Sequence, residues 1–218
     1  MPNDRKGRIR GVLFDWDGTL LDSYAADSAA YLAMFKQMGI AWGLEELARH
    51  YSPNWYDVYR AAGLQESRWT AADLSWRAQY ANHKPKLIPG ARALLTVLRK
   101  KYSLGLVTSG DHDRVTRQLR EFRLLGSFSA RVCGGDTANK KPHREPLETA
   151  LRAMQLSAQH CVYVGDTRED IQMARSAGVR AIGVIGPFPT AGGLRQSRPD
   201  LLLPSLLELP AALRKLDG

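Results

Sequence analysis

The sequence predicts a doubly wound α/β fold, a parallel sheet flanked by helices, interrupted near its start by an all-helical insert. Three observations predict it. Short apolar runs of strand length recur along the chain, and a helix-like stretch follows each one; such alternation builds βαβ units. The runs are almost continuously apolar, as strands covered on both faces are. By contrast, residues 22–86 read as helix with no convincing strand.

Taken in order, Met1 to Gly11 is polar and basic, lacks the apolar centre of a signal peptide, and reads as a frayed lead-in. The first strand is Arg10–Phe14. Helical patterns then run near 23–38, 44–51, 55–62 and 70–82, and this stretch holds Trp42, Trp55, Trp69 and Trp76, four of the five tryptophans. In so small a bundle these rings are expected to pack against one another. The expected joints are Leu21–Ser23 and Lys84–Gly90, the latter containing Pro85 and Pro89. The domain reading is therefore a core of residues 1–21 and 87–218 and a helical insert of residues 22–86. Beyond the insert come a helix at 90–101, strand Leu104–Val107, helix 112–122, strand Arg131–Cys133 and helix 145–155. Strand Cys161–Val164, helix 168–177 and strand Ala181–Ile185 follow. Residues 186–199, with three prolines and two adjacent glycines, read as a connector to a short edge strand, Leu201–Leu203, and a helix at 205–215.

Composition narrows the function classes. In 218 residues, no apolar run approaches the roughly 20 needed to span a bilayer, so no membrane partner is expected. Cys133 and Cys161 read as buried, reduced thiols of a cytoplasmic protein. The net charge of +9 lies outside the insert, where seven acidic and seven basic side chains cancel. The densest basic stretch, Arg114, Arg117, Arg120 and Arg123, recurs every three residues. At 3.6 residues per turn these side chains spread over a broad solvated face, where Arg117 can pair with Glu121. No nucleic-acid recognition signature accompanies them, and no nucleic-acid partner is expected.

The polar residues of interest follow strand ends, where open parallel sheets bind their ligands. The first strand runs into Asp15-Trp16-Asp17-Gly18. Two carboxylates so close raise one another's pKa unless a cation neutralises them, and magnesium favours hard oxygen ligands. The second strand ends in Thr108-Ser109-Gly110-Asp111, offering a hydroxyl and backbone N–H donors to an anion. After the third come Lys140, Lys141 and Pro142, and the fourth ends in Gly165-Asp166-Thr167-Arg168-Glu169-Asp170. Each fragment alone could be helix capping or surface charge. Together, acids, hydroxyl, lysine and acids outline a phosphoryl-transfer site. His112 and His143 fall nearby but lack ligand spacing, so loop or surface roles are expected for them.

As an ordered set, Val12–Leu20 (VLFDWDGTL), Leu106–Gly110 (LVTSG), Lys141-Pro142 and Val164–Asp170 (VGDTRED) resemble the haloacid dehalogenase superfamily, in its phosphoglycolate-phosphatase-like branch with a helical cap. The resemblance implies a Mg²⁺-dependent phosphatase acting on a small phosphorylated metabolite. Asp15 would be the nucleophile that becomes an aspartyl phosphate, and Asp17 the general acid and then base. Thr108, with Ser109 and Gly110, would bind the phosphoryl group, and Lys141 would pair with Asp15 and the phosphate. Asp15, the Asp17 backbone carbonyl and Asp166 would hold the metal, with Asp170 in support. The doubled lysine and the His143-Arg144-Glu145-Pro146 stretch depart from the family pattern at that point.

Asp17 argues against dehalogenation, which needs no acid for an alkoxide and goes with DxY in this family. A phosphonate-cleaving relative would need a cap lysine for a Schiff base, and only Lys36, Lys84 and Lys86 are available. A sugar phosphomutase shares the first motif and is the harder rival. A receiver-like signalling domain would be about half this length, and a non-catalytic interaction protein would not need every catalytic position filled.

Overall fold

The computed structural model describes residues 8–217, so of the basic lead-in Met1–Gly7 lies outside the described residues. The described residues form a six-stranded, all-parallel sheet from β1 (Gly11–Phe14), β4 (Ser103–Asp111), β5 (Ala130–Gly134), β6 (Cys161–Gly165), β7 (Arg180–Val184) and β8 (Leu201–Leu203). The strand order is β5-β4-β1-β6-β7-β8. The first strand in sequence thus sits in the middle, with β4 on one side and β6 on the other. Here the winding reverses, and a crevice opens beyond the carboxyl ends of β1, β4 and β6.

Side chains alternate between two apolar layers. Val12, Phe14, Leu104, Leu106, Val162 and Val164 face one layer with α5 (Ala91–Leu98), α6 (His112–Glu121) and α10 (Leu209–Asp217). Leu13, Val107, Tyr163 and Ala181 face the other, against α7 (Glu145–Met154), α8 (Arg168–Ser176) and α9 (Ala191–Gln196). Both faces being dry explains why the strands read as continuous apolar runs. Each fully buried Leu, Val or Phe contributes about 1.5–3 kcal/mol over leaving it exposed.

The insert folds as α1 (Tyr24–Gln37), α2 (Leu44–His50), α3 (Trp55–Ala61) and α4 (Trp69–Tyr80), around a cluster that includes Tyr31, Met34, Phe35, Leu47, Val58 and Tyr59. All four of its tryptophans pack against buried members of that bundle. Its two connections, β2 (Leu21–Asp22) and β3 (Lys86–Leu87), pair antiparallel as a two-stranded ribbon. Strands of two residues carry no readable period, which is why the sequence shows none there. The connector at 186–199 also holds α9, whose Gly192 and Gly193 mask its helical pattern. Cys133 and Cys161 are buried and unbridged, and no helix among the described residues is long and apolar enough to cross a membrane.

Candidate active site

The loop after β1 positions the first two acids. The spacing of two points Asp15 and Asp17 into the crevice and Trp16 into the core, where its Nε1 donates to Gln118 Oε1 at 2.9 Å. Gly18 follows with φ of +80°, a conformation that a side chain would strain, and a Cβ there would collide with the Asp166 carboxyl. The chain therefore turns against Asp166 because residue 18 has no side chain.

Around Asp15 the charges are paired in an unequal count. Lys141 Nζ donates to Asp15 Oδ1 at 2.7 Å and to Asp170 Oδ1 at 2.8 Å, and all three side chains are buried. Asp170 Oδ2 accepts from the Thr167 N–H and hydroxyl, closing a capping box that starts α8. The Tyr163 hydroxyl lies 3.1 Å from Asp170 Oδ1. Asp166 Oδ1 accepts from Thr19 Oγ1 at 3.0 Å, whereas Asp166 Oδ2 is buried with no partner. Carboxylate oxygens of Asp15, Asp166 and Asp170 lie within 4.8 Å of one another.

Three carboxylates against one ammonium leave two negative charges, the complement of one divalent cation. The electrostatics agree. Burial, opposed by the Lys141 charge, pushes the Asp15 carboxyl up to about 7. Burial, together with the charges of Asp15 and Asp170, holds Asp166 well above the usual carboxylate range. An unpartnered buried oxygen among hard oxygen donors fits a hard divalent ion.

On the other side of the site stands a residue that the sequence places elsewhere. Arg114 does not belong to a solvated face. Its Nη1 and Nη2 donate to Asp17 Oδ1 and Oδ2 at 3.0 and 2.7 Å, a bidentate pair, and Ser23 Oγ adds a third bond to Oδ1 at 2.7 Å. Burial alone would raise the Asp17 pKa, but the Arg114 charge and these bonds outweigh it and hold the carboxyl below its ordinary value. Arg117, Arg120 and Arg123 are exposed as expected, although no Arg117–Glu121 ion pair forms among the described residues. The misplacement has a helical cause. Arg114 lies in the first turn of α6, and helical side chains lean toward the N-terminus, here toward the end of β4. That position after Gly110-Asp111 was the available signal.

Arg114 also touches the insert. Its guanidinium lies 5.0 Å from the centre of the Tyr80 ring and 3.3 Å from the Tyr80 hydroxyl. Arg77 of α4 pairs with Asp111 at 3.0 Å. Thr108 is buried, with its Oγ1 accepting from the Gly110 N–H, and Thr108, Ser109 and Gly110 line the same cavity as the acids. His112 pairs with Asp136 on the surface, and His143 Nδ1 accepts from the Glu145 N–H; both are exposed. The insert roofs the site, enclosing a cavity of about 320 Å³ whose wall includes Tyr51–Pro53 and Trp55–Tyr56 from the α2–α3 region. Other side chains that sequence reasoning missed are Thr19, Ser23, Tyr80 and Asp27.

Comparison with known proteins gives a consistent picture. The family model of haloacid dehalogenase-like hydrolases matches residues 12–184. The phosphoglycolate phosphatase of Yersinia pseudotuberculosis is 30% identical over 216 positions, covering 94% of this chain and 93% of that protein. The phosphoglycolate phosphatase of Escherichia coli O157:H7 is 29% identical over 233 positions, covering 94% and 92%. Among solved structures, CbbY from Rhodobacter sphaeroides, in complex with phosphate, superposes with a TM-score of 0.81 at 24% identity over 94% of this chain and 99% of that one. A haloacid dehalogenase-like family protein from Streptococcus pneumoniae gives 0.82 at 24%, over 94% and 98%. At these identities the solved structures speak for the fold.

Proposed function

Given that the chain belongs to the haloacid dehalogenase-like hydrolases, we propose that it is a Mg²⁺-dependent phosphatase that hydrolyses a small phosphorylated metabolite through an aspartyl phosphate on Asp15. The observation that carries this reading is Asp15 itself. It is a buried carboxylate at the floor of a cavity, with one oxygen fixed by Lys141 and Asp17 following two residues on.

Asp15, Asp166 and the Asp17 backbone carbonyl would hold the ion, with Asp170 in support. When bound it supplies charge to offset the acids and the phosphoryl oxygens. The fixed Lys141 presents Asp15 for in-line attack and shares the charge that builds on the phosphoryl group. Thr108, Ser109 and Gly110 offer a hydroxyl and N–H groups to the same group. Asp17 protonates the leaving oxygen and then takes a proton from the water that opens the acyl phosphate. In the structure Asp17 is bound bidentately by Arg114, whose charge favours the carboxylate form, the state suited to the second step. The first step needs this pair to loosen, and because Arg114 also touches Tyr80, movement of the insert over the core is coupled to it. Residues 22–86 are in this reading the cap.

Hydrolysis of phenyl phosphate with and without Mg²⁺ tests the proposal. Turnover abolished by EDTA and by Asp15→Asn is expected. Metal-independent turnover, or full activity in Asp15→Asn, would overturn it.

A further inference from the structure

The leaving group of the proposed reaction must sit between the acids and the insert, and the wall there has a distinctive chemistry. It is built from rings: Tyr31, Tyr51, Trp55, Tyr56, Trp76 and Tyr80 all line the cavity. Its cations are already engaged. Arg114 is bound to Asp17, Arg77 to Asp111, and Lys141 to Asp15 and Asp170. Lys140 lies over the faces of Trp55 and Tyr56, at 3.9 and 4.9 Å from their centres.

Two acids of the insert line this wall; Asp73 accepts from the Tyr59 hydroxyl at 2.9 Å, whereas Asp27 has no such counterpart. Asp27 of α1 lines the cavity, and its Oδ2 is buried without a hydrogen-bond partner. Trp76 Nε1 is likewise a buried donor without a partner. Burial, reinforced by the Asp17 charge, pushes the Asp27 carboxyl up to about 8. A buried polar atom left unpaired is destabilising, so such groups are kept where a ligand completes them. Among the described lining residues, Lys140 is the one cation without a carboxylate partner, and it lies on ring faces; an acceptor, a donor and a set of rings do not suit a carboxylate.

We propose that the substrate is the phosphomonoester of an uncharged, ring-bearing alcohol, which donates an O–H or N–H to Asp27, accepts from Trp76 Nε1 and packs on the aromatic wall. The inference rests on the phosphatase reading and separates the chain from an enzyme for phosphorylated carboxylic acids. Sugar and nucleoside monophosphates share this chemistry, since both present a ring and hydroxyl donors.

The test is a comparison of kcat/KM for glucose 6-phosphate, adenosine 5′-monophosphate, 2-phosphoglycolate and phenyl phosphate, on wild type, Asp27→Asn and Asp27→Leu. One of the two ring phosphates is expected to exceed 2-phosphoglycolate by roughly 10-fold, as one hydrogen bond to a buried group allows. Which of them leads identifies the source. That ratio should collapse in Asp27→Leu and largely survive in Asp27→Asn, which keeps an acceptor. Asp27→Leu should also melt higher than wild type, because it removes an unpaired buried polar group. Equal or better turnover of 2-phosphoglycolate by wild type would overturn the inference and leave the phosphatase reading intact. An unchanged ratio in a folded Asp27→Leu would overturn the role of Asp27. Should Asp27→Leu fail to fold, the wild-type panel and Asp27→Asn decide. Failure to hydrolyse any ester, phenyl phosphate included, would overturn both readings together.

Discussion

Replacing Arg114 by methionine keeps most of the side-chain volume and removes the charge that neutralises Asp17. Removing one partner of a buried ion pair costs about 3–5 kcal/mol, because the other charge is left uncompensated. Asp17 keeps 23% of its side-chain surface open and Arg114 12%, so the lower end, about 3 kcal/mol, applies where Asp17 stays ionised. For a chain of this length that is a fall in Tm of about 6–12 °C. The loss must depend on pH. In the wild type the Asp17 pKa is depressed, so its contribution is present above the unfolded value of 3.8 and is lost only as pH falls through the folded pKa. That contribution is constant from pH 5 to 8. Burial is the largest influence on Asp17, so without Arg114 its pKa is expected to rise above 3.8. The variant then loses stability as pH climbs from the unfolded value toward the new folded one. Asp27, which Arg114 also lowers, moves in the same direction. The gap between wild type and Arg114→Met should therefore be larger at pH 8 than at pH 5, and Arg114→Lys should close part of it. Thermal melts at the two pH values measure this. An equal gap at both, or a larger one at pH 5, would refute the claim that Arg114 holds Asp17 ionised.

Three more outcomes are expected. Asp166→Asn should raise the Mg²⁺ concentration needed for half-maximal activity at least roughly tenfold, since the metal then loses one anionic oxygen; a magnesium titration of phenyl phosphate hydrolysis reads it. Gly18→Val combines a positive φ with a collision against the Asp166 carboxyl, so both Tm and magnesium affinity should drop, measured by melting with and without the ion. Lys141→Met leaves Asp15 and Asp170 buried without their shared cation, and should lower Tm and turnover together, with the Tm deficit shrinking as pH falls and the carboxyls protonate.

Much of the fold was readable because it is written in local signals. Val12–Phe14 and Cys161–Val164 are apolar on both faces since both layers are dry, and a run of that kind has few other meanings. The insert was legible from the helical period and from the absence of strands. Strand ends carried the acids, so the sheet brought together Asp15, Asp17, Thr108, Lys141 and Asp166 from positions up to about 150 residues apart. The paired connections β2 and β3, and α9 with its two glycines, were too short or too weakly patterned to read.

By itself, the sequence determined which residues carry charge at the strand ends, and hence the kind of chemistry they outline. Only the tertiary structure decided the partners of those charges. A periodicity of three from Arg114 to Arg123 describes four arginines equally, yet Arg114 alone leans over the first turn of α6 and meets Asp17 across the crevice. Asp27 is an ordinary helical acid in sequence, and becomes distinctive only when the cap lowers it, unpaired, onto the cavity. Local patterns follow from how a residue suits its own segment. The charge balance of a site depends on which segments the fold brings within a few ångströms.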